Sequence, residues 1–173
     1  MGFIDKIMDL VSKPKDVNGI PEECEVVFFG RKYRLHPKVV EYVSDNRSKA
    51  LYDLTISSMA RIEGKIREFI SEHYSECIQY YCEGFTLPRD TDSTEYADIK
   101  LLSEEWNAQN MIDSGVFDAD SRKGLDSLIR MLVPGAIYID QEKVLFGVMA
   151  NKYCSEGFQV VVSLSGIDVG YWE

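Results

Sequence analysis

The side chains able to do chemistry in this chain are two histidines, four cysteines and 29 carboxylates. A catalytic nucleophile would need a cysteine or serine beside a base, and His36 and His73 are the only imidazoles. His36 precedes Pro37 in a turn-rich stretch and is expected to be exposed. His73 falls on the apolar stripe of a helix, where a hydrogen-bonded core residue is the commoner role. Cys77 and Cys82 are five apart, so on a helix they point in different directions, and Cys24 and Cys154 are isolated; zinc is not expected. The default for such cysteines is a small buried hydrophobe. Asp118-Ala119-Asp120 opens like a calcium loop, but Gly124 then falls at position 7 instead of 6 and position 12 is Ile129, not glutamate. Neither a phosphate-cradling glycine loop nor a nucleophile elbow nor a dinucleotide fingerprint occurs. The expectation is no metal and no cofactor. A small hydrolase using His36 or His73 with a cysteine (Cys154, for example) or a carboxylate is the alternative to a binding role.

Binding chemistry has more material. Glu68, Glu72 and Glu76 form a like-charge ladder at i,i+4 spacing, which costs a helix a few tenths of a kcal/mol per pair. A surface kept for a basic partner explains it; so does a plain solvated face. Trp106 and Trp172 are large aromatics in acidic surroundings, the composition of a protein-binding patch. Net charge is −10, and it is uneven: residues 1–89 carry 13 basic and 14 acidic groups, residues 90–173 carry 6 and 15. The second half would repel a nucleic-acid backbone.

These residues need elements to position them. Phe3, Ile4, Ile7, Leu10 and Val11 predict a short amphipathic helix, ended by Pro14 and followed by a connector to Pro21. With one Asp for each Lys it has no attraction to a membrane surface. Residues 22–173 are expected to form a single α+β domain. Glu25–Phe29 predicts a strand turning through Gly30-Arg31-Lys32 into Tyr33–Leu35, with Arg31, Lys32, Arg34 and Lys38 as the one basic cluster. Ser48–Ile56 is ambiguous between strand and helix. From Ile56, the stripe Met59, Ile62, Ile66, Phe69, Ile70, His73 and Cys77 predicts one long helix stopping near Gly84. Asp92 followed by Glu95 suggests a capping box, and Asp120 or Ser121 caps a helix leading to the C-terminal strands.

Those strands give the clearest pattern. A four-residue loop at Asp140–Lys143 pairs Ile139 with Val144 and Ile137 with Phe146. A two-residue Ser165-Gly166 loop pairs Leu164 with Ile167, Val162 with Val169 and Val160 with Tyr171. Each register gives one wholly apolar face. The fold class is therefore α+β: an antiparallel sheet of about five strands, ending in a β meander, packed against a long amphipathic helix.

The order helix, strand, Asp140-Gln-Glu-Lys143 turn, strand, short loop, then Phe158-Gln-Val-Val-Val-Ser-Leu-Ser-Gly166 resembles small bacterial cytosolic families described only as domains of unknown function. Some are encoded near polymorphic toxins as immunity proteins. The resemblance covers residues 118–172 and implies a cytosolic domain; it transfers no site residue. The function expected is a non-enzymatic cytoplasmic domain whose acidic face meets a basic protein partner, an immunity-type inhibitor being the most specific version. Homo-oligomerisation is left open.

Overall fold

The computed structural model describes residues 19–40, 46–81, 89–94, 107–113, 118–149 and 157–171, with 96, 97, 100, 104 and 115 between them. The N-terminal helix, Cys82, Gly84, Glu95, Trp106, Cys154 and Trp172 lie outside the described residues.

The fold is α+β. Strands β1 (Cys24–Phe28) and β2 (Arg31–Leu35) form a separate hairpin. Its turn is Phe29-Gly30 instead of the expected Gly30-Arg31-Lys32, with φ of 45° and 74°. Two positive φ values define a turn that follows the twist of the strands, and Glu63 Oε1 accepts the Phe29 amide at 2.8 Å. Strand β3 (Pro37–Val39) then opens the main sheet, whose order is β3-β4-β5-β6-β7, with β4 Val133–Ile139, β5 Lys143–Met149, β6 Gly157–Ser163 and β7 Gly166–Tyr171. The sheet has the expected five strands but is mixed: β4 to β7 are antiparallel, while β3 runs parallel to β4. Pro134 pairs with Val148 of β5 beside a register shift that runs to Ile137, the kind of irregularity at which a residue without an N–H is tolerated in a sheet.

The first hairpin keeps its expected register, Ile139 opposite Val144 and Ile137 opposite Phe146. The second differs. Its turn is Leu164-Ser165, and Val162 pairs with Ile167, Val160 with Val169 and Phe158 with Tyr171. Moving a loop by one residue displaces each partner by two, so the same side chains stay on the same face. The apolar face survives the slip: Ile137, Ile139, Val144, Phe146, Phe158, Val160 and Val162 are all fully buried.

Two helices stand where one was expected from Ile56, with another over the ambiguous stretch before it. Helix α1 (Arg47–Ser57) resolves the ambiguous stretch as helical, and α2 (Met59–Glu72) and α3 (Tyr74–Tyr81) follow, with breaks at Ser58 and His73. At the first break the Thr55 and Ser57 hydroxyls donate to the carbonyls of Leu51 and Leu54, the back-bonding that bends helices. The stripe still faces the sheet, and Leu51, Ile62, Ile66, Ile70 and Cys77 are fully buried. Helix α4 (Ala108–Asp113) is short, and α5 (Ser121–Met131) starts on Asp120, whose side chain accepts the Arg122 amide at 3.0 Å. An ion pair of 2.7 Å between Arg67 and Asp126 ties α2 to α5. Near residue 92 it is Ser93 that caps: its hydroxyl accepts the Tyr96 amide at 3.1 Å.

Candidate functional site

Phe69 of α2 fixes the helix over the edge of the sheet, its ring 5.3 Å from Tyr171 and 5.4 Å from Phe158. With that face buried, the opposite side of α2 must point to water. Glu68, Glu72 and Glu76 are accordingly all exposed. The crossing adds a fourth carboxylate, Asp168, exposed in the middle of β7. Lys65 is the cation among them, with Nζ 2.6 Å from Glu68 Oε2. The hydrogen bond to Glu68, the charge of that carboxylate and the fields of Glu72 and Asp168 hold the Lys65 ammonium above its ordinary range. Among the described residues, four carboxylates thus act around this one lysine.

At its far end the strip meets the break between α2 and α3. His73 Nδ1 lies 3.3 Å from Glu76 Oε2, and its ring stacks 4.8 Å from Phe69. The Tyr171 hydroxyl donates to Glu76 Oε2 at 3.5 Å and lies 3.8 Å from Cys77 Sγ. His73 is therefore half-exposed at the rim, not enclosed in the core as the stripe suggested. A histidine, a carboxylate and a cysteine have come together here, the set a hydrolase would need. The state of the thiol is wrong for it. Burial, helped by the Glu76 charge and only partly opposed by Tyr171, pushes the Cys77 thiol up to about 12. Burial and then Cys77 push Tyr171 up as well. A fully buried neutral thiol is neither reachable nor nucleophilic at neutral pH.

Stability above neutrality should report these states. A group whose folded pKa is raised stabilises the fold fully below its unfolded value, and that stability is lost as pH rises through the folded one. For Cys77 the window runs from 9.0 to about 12. Denaturant melts should show stability falling across that range, and a Cys77→Ala variant, less stable at pH 7, should show a shallower fall.

His36 is exposed, with Nδ1 3.1 Å from the Glu22 carbonyl and Nε2 3.9 Å from Glu23. The two cavities flanking the β6–β7 turn contain neither histidine. Both described cysteines, Cys24 and Cys77, are free and buried. Among the described residues no three His, Cys, Asp or Glu side chains come together to hold a metal ion, and no helix is long and apolar enough to cross a membrane.

The basic cluster does not neutralise the acidic strip. Arg31 donates to the Leu132 carbonyl at 2.6 Å, at the C-terminus of α5, where a cation meets the negative end of the helix dipole. Lys32 pairs with Glu25 and Arg34 with Glu23. No match to this chain is found among protein-family models, curated proteins or solved structures.

Proposed function

We propose that this chain is a non-enzymatic cytoplasmic binding domain that presents Glu68, Glu72, Glu76 and Asp168 to a basic protein partner. The observation that carries the reading is the run of exposed carboxylates Glu68, Glu72 and Glu76 along α2 and α3, with Asp168 of neighbouring β7 close enough to act on Lys65, the cation among them in the described residues. Such a strip steers an oppositely charged partner and sets its orientation, and its reach shrinks from about 10 Å at 0.1 M salt to about 3 Å at 1 M. The inhibitor of a basic toxin is the most specific form of this role, in keeping with the resemblance over residues 118–172. Trp106 and Trp172 are proposed as aromatic anchors for such a partner on residue type alone, since both lie outside the described residues.

Glu72→Lys separates a binding strip from a merely solvated one. Glu72 ends α2 between Glu68 and Glu76, so a lysine there replaces like-charge neighbours and suits the helix C-terminus. A gain of about 0.5 kcal/mol or less is expected in a thermal melt. Binding to a partner recovered at low salt should fall about tenfold, the equivalent of one lost charge-assisted contact. The stability gain without any loss of binding would mean that the face is only solvated.

A further inference from the structure

At the opposite end of β7 the charge balance reverses. A cavity of about 420 Å³ lies against the β6–β7 turn and is lined by Arg47, Lys143, Ser163 and Ser165, with Val161 and Leu164 as its apolar wall. A second cavity of about 150 Å³ shares Ser163, Leu164 and Ser165 and adds Arg61 and Ser58. Among the described residues, three cations thus border one turn against a single carboxylate, Glu142. In a chain of net charge −10 that is a local excess of positive charge.

The state of those cations matters more than their number. Lys32, Lys49, Lys65, Arg67 and Arg122 each hold a carboxylate. Arg61 and Lys143 form no ion pair with any described residue. Helix α1 begins at Arg47 with no acidic side chain in its first turn and no side-chain bond from its cap residue Asn46. The Ser163 and Ser165 hydroxyls lie 2.8 Å apart where the two cavities meet. Leu164 is 74% exposed, far more than any other large apolar side chain near it.

We propose that this groove binds a phosphate monoester, its dianionic head between Lys143, Arg47 and the serine hydroxyls, with Arg61 across the turn and its organic part against Val161 and Leu164. Arginine forks and a lysine point charge suit a phosphate with several acceptor oxygens, and the larger cavity falls within the size range of small-molecule sites. The site is independent of the acidic strip and does not rest on the proposed function.

The test is an amide NMR titration of the full chain with inorganic phosphate and with phenyl phosphate, sodium chloride keeping ionic strength constant. Saturable shifts are expected at Lys143 and at Leu164 to Gly166, with phenyl phosphate binding the tighter. Lys143→Gln and Arg47→Gln should each weaken binding about tenfold, the loss of one charged contact, while Lys32→Gln leaves it unchanged. Equal affinity for the two probes supports the phosphate seat but removes the apolar wall from the site. Shifts that never saturate, that spread equally over Lys32 and Arg34, or that persist undiminished in both glutamine variants would overturn the proposal.

Discussion

Gly157→Ala is expected to cost about 3 kcal/mol or more, a large part of the roughly 5–15 kcal/mol that holds a domain of this kind together. Residue 157 opens β6 in the middle of the sheet, opposite Met149. A Cβ there would stand 2.1 Å from the Val148 carbonyl oxygen and 3.2 Å from Met149 Cα. All of the atoms it meets are backbone, so no side chain can swing aside. The strands must separate or slide, and sliding by one residue would turn Phe158, Val160 and Val162 out of the core. A urea melt measures the loss, and a variant as stable as the parent would show that β5 and β6 do not approach as described.

Gly124→Ala should likewise destabilise, by about 2–4 kcal/mol, and here the sign itself is informative. Helix propensity alone predicts a gain of about 1 kcal/mol for alanine inside a helix such as α5. But a Cβ at 124 would fall 1.7 Å from the Tyr74 hydroxyl and 2.7 Å from the Asp118 carbonyl oxygen. Tyr74 is buried and passes over this glycine to donate to that same carbonyl at 2.6 Å. The methyl would expel the ring, opening a cavity and leaving the carbonyl without its donor. If alanine stabilised the protein in chemical denaturation, the Tyr74 bridge between α3 and the start of α5 would be refuted.

What could be read from the sequence follows from which interactions are local. The Asp140–Lys143 hairpin was legible because its loop carries its own signal: Asp140 Oδ1 accepts the amides of Glu142 and Lys143, which fixes the loop length and with it the register. The second hairpin admitted two registers with identical faces, so side-chain pattern alone did not choose between them. The helical stripe passed through the breaks at Ser58 and His73 because the residues on either side still face one sheet. Strand β3 is three residues long and pairs in parallel with a strand about a hundred positions away, which no short-range pattern announces. The same division runs through the site. The Glu68–Glu76 ladder was visible as spacing, whereas the influence of Asp168 on Lys65 arises only because α2 lies beside β7, as Tyr171 meets Cys77 only through the packing of Phe69.

The acidic strip is most directly tested by using the chain as bait in lysate of its native host, at about 0.1 M and about 1 M salt, beside a bait in which Glu68, Glu72 and Glu76 are all changed to lysine. A basic protein should be retained by the native bait at low salt, released at high salt, and absent from the charge-reversed bait. Equal recovery of the same partner by both baits, or recovery indifferent to salt, would contradict the role given to these carboxylates.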